Sequence, residues 1–419
     1  MVALTHGAKC CIFGLLIVLM FMYSIFFMIK TGRSVKPMLG SKKRFNYQFY
    51  MENLHKPKQP YEELIQYFNL TEFNKFIDQY CPVENLYISS KCLKELVNCQ
   101  ELSKPAIIDN EKRLLYYHTI WPELQTSAIY SIDSRIRQLN VNSYLSTQNL
   151  LHTKLIIWII KPFQRNVIMY IKSMFINFFN KKIIEIKIVN FKELCSKSFV
   201  TNSYYNSCTS LSELGDVEEN KFYAAKDFIK FLLLNSYGGI YVDYDFIYLE
   251  DLKPFWSMNF AYRWSHLDDF SFSVIGLKNN LENTINEFLR RLFSPSSGKS
   301  TNSFLQLFHP FSIRDIIVEL NKGNLYNYKS FKIYHSALFD PSWLCHNHIL
   351  DKNKNSFKVC HFIDIFEQGV KNFSINDFFK GAFLYHIHID DIYIRENAIK
   401  NDSYFYNLEK YYKANLILK

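Results

Sequence analysis

The chain has 419 residues, 48% of them hydrophobic and 21% charged, a balance that excludes a disordered, highly acidic or collagen-like polypeptide. Aromatic residues reach 17%, with 38 Phe and 29 Tyr, enough bulky apolar surface for a large core. Lys and Arg number 49 against 39 Asp and Glu, but the excess is spread along the chain. With no zinc-finger spacing, RNP-like pattern or basic heptads, nucleic acid is not an expected partner.

The first predicted element is Cys10–Ile29, CCIFGLLIVLMFMYSIFFMI, twenty residues without a charge. At a helical rise of about 1.5 Å per residue it spans roughly 30 Å, the hydrocarbon thickness of a bilayer. It outruns the apolar core of a signal peptide and no small-residue cleavage site follows, so a retained signal-anchor after a tail of residues 1–9 is expected. Lys30, Arg33, Lys36, Lys42, Lys43 and Arg44 follow the span while Lys9 precedes it, which by the positive-inside rule alone would leave the large domain in the cytosol. Sequons at Asn69, Asn372 and Asn401, and seven cysteines beyond the span, favour an oxidising lumen. Hydropathy says anchored; it does not say on which side.

Residues 30–105 read as a stem carrying Pro37, Pro57 and Pro60, followed by a subregion in which Cys81, Cys92 and Cys99 suggest a disulfide tie. Beyond it, 106–419 has an alternating α/β rhythm. Strands are expected at Leu114–Trp121, Lys154–Ile160, Ile183–Val189 and Ile240–Phe246, and helices at Ala128–Leu139, Asn166–Asn180 and Phe222–Tyr237. Gly238 supplies the stop after the last helix. The pattern predicts a mostly parallel sheet with its ligand at the carboxyl edge. Cys195–Cys208 and Cys345–Cys360 are expected as local disulfides, the second in preference to a zinc set with His346, His348 and His361.

One stretch carries chemistry: Tyr237-Gly-Gly-Ile-Tyr-Val-Asp243-Tyr-Asp245-Phe246. On a strand, Asp243 and Asp245 would project from one face, where two carboxylates repel unless a cation lies between them. A hard divalent ion that also meets phosphate oxygens is the usual solution. A D-x-D alone is a weak signal. Following an apolar helix, a Gly-Gly stop and a strand, it is more specific than a solvated acidic strand end.

The segment AAKDFIKFLLLNSYGGIYVDYDFIYLEDL resembles the D-x-D sugar-binding region of the α-1,4-glycosyltransferases, the group of lactosylceramide 4-α-galactosyltransferase and α-1,4-N-acetylglucosaminyltransferase. Weaker similarity runs from about Leu114 to His388 and includes Tyr130-Ser-Ile-Asp-Ser134 before KLIIWII, and FKEL at Phe191–Leu194. The resemblance implies a GT-A-like nucleotide-sugar domain on the lumenal side of a type II Golgi membrane protein. It implies Mn²⁺ or Mg²⁺ as cofactor and retaining transfer from a UDP-sugar, galactose in α-1,4 linkage, to a galactose-terminated glycolipid or glycoprotein. An N-acetylglucosamine donor, or an anchored and catalytically silent glycan-binding protein, are the alternatives.

Carried over by position, the resemblance makes Asp243 and Asp245 the metal–diphosphate pair. It puts Asp227, Lys230 (where the family usually has Arg), Gly238, Gly239 and Tyr241 on the nucleotide-sugar side. Phe383-Leu-Tyr-His386-Ile-His388 resembles the family's A-V-H-V-W, which makes His386 a third metal ligand or else a buried structural histidine. His388 stands where the family has Trp. Ser271-Phe272 replaces an Asn-Gly, with Asp268 or Asp269 as a compensating carboxylate or plain loop residues, and Phe308-His309-Pro310-Phe311 reduces a G-P-containing segment.

Overall fold

The computed structural model describes residues 70–83, 92–95, 115–121, 132–159, 165–198, 219–256, 258–263, 270–277, 331–342, 362–389 and 399–417. The chain divides into two units, 1–55 and 56–419, and every described residue belongs to the second. The expected anchor at 10–29, the stem to residue 69 with its sequon, Asp268, Asp269, the 308–311 segment, and Cys99, Cys208, Cys345 and Cys360 lie outside the described residues. Among the described residues, no helix is long and apolar enough to cross a membrane.

Helix α1 (Leu70–Tyr80) buries Phe73 and Ile77, four positions apart on one face. Phe73 meets Phe255 edge-on with ring centroids 5.6 Å apart, and Cys81 bonds to Cys92. Helix α1 and the Cys81–Cys92 pair, within the stretch read as stem and cysteine subregion, pack into the same core as the sheet.

Strands β1 (Leu115–Trp121), β2 (Thr153–Ile159) and β3 (Ile184–Ile188) alternate with helices α2 (Ile132–Thr147), α3 (Arg165–Met174), α4 (Ile176–Asn180) and α5 (Phe191–Ser198). After α6 (Glu219–Tyr237) come β4 (Gly239–Val242), β5 (Phe246–Tyr248), β6 (Phe260–Arg263), β7 (Phe270–Leu277) and β8 (Lys332–Tyr334). The chain ends with α7 (Asp364–Glu367), β9 (Leu384–His386) and α8 (Tyr404–Ile417). Seven strands form one sheet in the order β3-β2-β1-β4-β7-β6-β8, while β5 and β9 pair separately. Among the described strands of the seven-stranded sheet, only β7 runs against its neighbours, so the expected mostly parallel α/β sheet is what the fold contains. The run LYYHTIW of β1 and the run TKLIIWI of β2 are buried almost throughout, as parallel strands covered on both faces must be.

Three expected elements differ, the first being the predicted helix Ala128–Leu139, which continues as α2 to Thr147. The predicted strand Ile240–Phe246 ends at Val242, and 243–245 form a turn closed by Phe246 N–H on Asp243 O at 3.3 Å. Asp243 and Asp245 are thus turn residues, not alternate positions on a strand. The predicted helix Asn166–Asn180 is split at Phe175 into α3 and α4.

Gly238 (φ 65°) ends α6, its N–H reaching Leu234 O at 2.8 Å. Gly239 follows at φ 98°, and a Cβ there would lie 2.0 Å from Tyr116 O of β1. Backbone, unlike a flexible side chain, cannot step aside, and the φ is itself unfavourable for an L side chain. Gly239→Ala should therefore cost about 3 kcal/mol or more in stability. Chemical denaturation checks this, and an unchanged midpoint would contradict the close β1–β4 approach.

Candidate active site

The site is assembled around the 243–245 turn at the carboxyl end of β4. Helix α2 braces it with polar side chains facing inward. Asn140 Nδ2 donates to Phe246 O at 2.7 Å and to Asp243 O at 3.4 Å, and Tyr248 N–H donates to Ser143 Oγ at 3.0 Å. Asn140 and Ser143 are fully buried, and each spends a hydrogen bond on the backbone of this segment. Tyr244, at the middle of the turn, lies under the Arg137 guanidinium at 4.6 Å, a cation–π contact that fixes the turn from the same helix.

Asp243 is enclosed by its own chain. Oδ1 accepts from Tyr241 OH at 2.6 Å and pairs with Lys226 Nζ at 3.0 Å, while Oδ2 pairs with Lys230 Nζ at 3.1 Å. Lys226 and Lys230 lie one turn apart on α6 and so present both ammoniums to the same carboxylate. Lys230 also meets Asp227 Oδ1 at 2.8 Å and Phe272 O at 3.3 Å, which uses all three of its N–H donors. Burial opposes the charge on Asp243, but the two lysines and the Tyr241 hydroxyl outweigh it and hold the carboxyl far below its ordinary range. Burial likewise opposes the charge on Lys226, yet Asp243 and Asp245 keep it raised.

Asp245 faces the other way. Strand β5 pairs antiparallel with β9, placing Phe246 opposite His386; Ile387 N–H donates to Asp245 O at 2.9 Å. The two rings stack at 4.2 Å. That pairing brings His386 Nε2 to 3.1 Å from Asp245 Oδ2 across 141 residues of sequence. Its Nδ1 lies 3.3 Å from Oδ2 of Asp340, which is fully buried. Burial works against a charged imidazole, but Asp245 and Asp340 outweigh it and raise His386 to about 10.

A divalent cation fits this corner. Among the described residues, the buried Asp245 Oδ1 has no hydrogen-bond partner, and such an atom is costly unless a ligand satisfies it. With His386 Nε2 adjacent, it supplies a carboxylate-plus-imidazole donor set for a divalent cation. Asp340, His386 and His388 form a second acid–imidazole group with ligand atoms within 4.8 Å of one another.

The structure brings together Asp227, Lys230, Tyr241, Asp243, Asp245 and His386. Within that group Tyr241 and Lys230 act on Asp243 instead of offering themselves outward. Gly238 and Gly239 differ from expectation. They sit at the opposite end of β4, about 13 Å of extended chain from Asp243. There they serve the turn and the β1 contact, and Gly238 O is held by the ring of the buried His118 at 2.9 Å. Phe272, at the place of the family's Asn-Gly, is core: its ring meets Phe231 at 5.0 Å. His388 is buried against Phe362 at 3.9 Å, which removes it from acceptor stacking. Sequence reasoning missed Lys226, Asn140 and Asp340. Lys226 had a signal, its i, i+4 spacing to Lys230; Asp340, in the loop FDPSW, had none.

Residues 157–261 match the family model described as the glycosyltransferase sugar-binding region containing the DXD motif. The matched segment begins within β2, ends within β6 and contains the whole 243–245 turn. No curated protein matches the chain. Among solved structures, the chain is similar to the PaToxG glycosyltransferase at 18% identity, covering 56% of this chain and 78% of that one with a TM-score of 0.36. It is also similar to the apo form of mouse xyloside xylosyltransferase 1, at 10% identity over 67% of this chain and 100% of that one, with a TM-score of 0.35. The UDP-bound glycosyltransferase domain of the YGT toxin gives 10% identity, 52% and 69% coverage and a TM-score of 0.29.

Proposed function

We propose that the protein is a UDP-sugar-dependent glycosyltransferase that moves a hexose with retention, galactose in α-1,4 linkage to a galactose-terminated glycolipid or glycoprotein. The observation that carries the class is the unsatisfied, buried Asp245 Oδ1 beside His386 Nε2, in a turn inside a DXD sugar-binding region. The galactose donor, the linkage and the acceptor rest on the sequence resemblance. Asp245 and His386 would hold Mn²⁺ or Mg²⁺, which when bound supplies electrostatic stabilisation to the departing diphosphate.

The chain's own residues perform the rest. Asn140 and Ser143 keep the turn in place, so the carboxylates need no reorganisation as charge develops. Lys230 and Tyr241 hold Asp243 ionised and fixed. Lys226, 12% exposed and spending one ion pair on Asp243, has N–H donors left for a diphosphate oxygen, a charge-assisted bond. The test is UDP release from a panel of UDP-sugars by the full chain in detergent, with and without Mn²⁺. Metal-dependent turnover of UDP-galactose is expected, and no turnover of any UDP-sugar would overturn the proposal.

We also propose a type II Golgi membrane protein with its large domain in the lumen. The Cys81–Cys92 disulfide supports an oxidising compartment, and Asn372 and Asn401, two of the three sequon residues, are exposed. An endoglycosidase should shift the mobility of the chain, and the double substitution Asn372→Gln, Asn401→Gln should reduce or remove that shift. No shift in the wild-type chain, with protease attack from the cytosolic face of intact vesicles, would refute it.

A further inference from the structure

Among the described residues outside the D-x-D turn, Asp340 is a heavily engaged buried charge. Its side chain has no exposure, yet it sits in the loop after β8 and belongs to no recognised motif. Oδ2 faces His386 Nδ1 at 3.3 Å and Tyr262 OH at 3.5 Å; Oδ1 faces His388 Nε2 at 2.9 Å and accepts from Ser342 Oγ. A carboxylate taken fully out of water is retained only when such partners compensate for lost hydration.

The partners form a chain: His388 to Asp340, Asp340 to His386, His386 to Asp245. His388 is held in this chain at φ 55°, a left-handed conformation that costs a non-glycine residue about 1–3 kcal/mol and persists only where surroundings over-determine it. Its ring is clamped against Phe362, and the His386 ring against Phe246. Both imidazoles therefore have their planes set by stacking and their nitrogens set by one carboxylate.

We infer that Asp340 is a positioning residue for the cation site: it holds the His386 Nδ1–H and so leaves Nε2 directed at Asp245, with His388 and Ser342 anchoring its other oxygen. A carboxylate on the far nitrogen of a metal-binding histidine fixes both tautomer and ring orientation. This inference rests on the proposed reading of Asp245 and His386 as ligands, and it adds a residue that touches neither donor nor cation.

The experiment measures Mn²⁺ affinity calorimetrically on the full chain without donor, for wild type, Asp245→Asn, His386→Ala, Asp340→Asn and His388→Gln. Metal-free UDP affinity and melting temperature are recorded alongside. Asp340→Asn should weaken Mn²⁺ binding about 10–100-fold with UDP affinity unchanged. With diamagnetic Mg²⁺ in place of Mn²⁺, histidine ¹⁵N shifts should report loss of the Nδ1-protonated His386 tautomer, which a purely structural role would not move. His388→Gln should weaken binding by a smaller factor.

If His386→Ala leaves Mn²⁺ affinity intact, the ligand reading fails and this inference with it. If His386→Ala weakens binding and Asp340→Asn does not, the inference alone is overturned. If Asp340→Asn weakens binding while Asp245→Asn has no effect, the cation sits on Asp340 and the histidines, and Asp340 is a ligand instead. Should Asp340→Asn fail to fold, His388→Gln decides, and wild-type affinity in that variant overturns the inference.

Discussion

Asp245→Asn lowers donor turnover by at least about a hundredfold, the usual cost of removing a group that stabilises developing charge, and leaves the fold standing. Its Oδ1 has no partner among the described residues to lose, and its Oδ2 meets His386, which keeps Asp340. Asp243→Asn behaves differently. The D-x-D pattern alone suggests that neutralising either carboxylate relieves repulsion, but Asp243 is the shared counter-ion of Lys226 and Lys230. Removing one member of a buried pair leaves charge uncompensated, at a cost on the order of 3 kcal/mol. Asp243→Asn should therefore lose both activity and several degrees of melting temperature. Turnover assays and thermal denaturation on the two variants separate the roles. Wild-type turnover in Asp245→Asn would remove it from the cation site, and a wild-type melting temperature in Asp243→Asn would refute the lysine clamp.

The contrast between these two aspartates shows where a sequence stops being legible. Central strands announce themselves: KLIIWII and LLYYHTIW are apolar because both sheet faces are covered, and α6 with its glycine stop reads directly from its pattern. The V-D-Y-D-F alternation also reads as strand, because Val242, Tyr244 and Phe246 are all buried. Burial and strand geometry are separate properties, however, and the backbone turns after Val242. The pattern predicts a helix end at Leu139, yet α2 runs on through Asn140, Asn142 and Ser143. They are buried, and Asn140 and Ser143 hydrogen-bond a chain segment more than a hundred residues away. Such partners leave no periodic trace. Asp340 is the extreme case: its meaning lies in two histidines 46 and 48 residues later, joined to it only by tertiary packing. His386 was legible as a candidate, but its electrostatic setting was not.

That setting moves the pH window of the site. Metal binding through a neutral imidazole competes with its proton, and an unperturbed histidine would place that competition below about pH 6.5. His386 instead lies between Asp245 and Asp340, with His388 and the Tyr262 hydroxyl facing Asp340 from the far side, and is raised to about 10. In the metal-free protein a raised pKa stabilises the fold fully below the unfolded value near 6.5, and that contribution fades as pH climbs towards 10. Asp340, held low by His388 and His386 against the opposing effect of burial, contributes above about pH 3.9 and loses its contribution as pH falls. Together these two groups contribute most between about pH 4 and 6.5, and the His386 contribution should decline from there to pH 9. His386→Gln should flatten that alkaline decline. Over the same range Mn²⁺ must displace one proton, so its affinity should rise about tenfold per pH unit from 6.5 to 8.5 instead of levelling off. Calorimetry in two buffers of different ionisation enthalpy counts the proton directly. A proton count near zero with flat affinity at pH 7.5 would mean that His386 is already neutral there, and that the two carboxylates do not hold its charge.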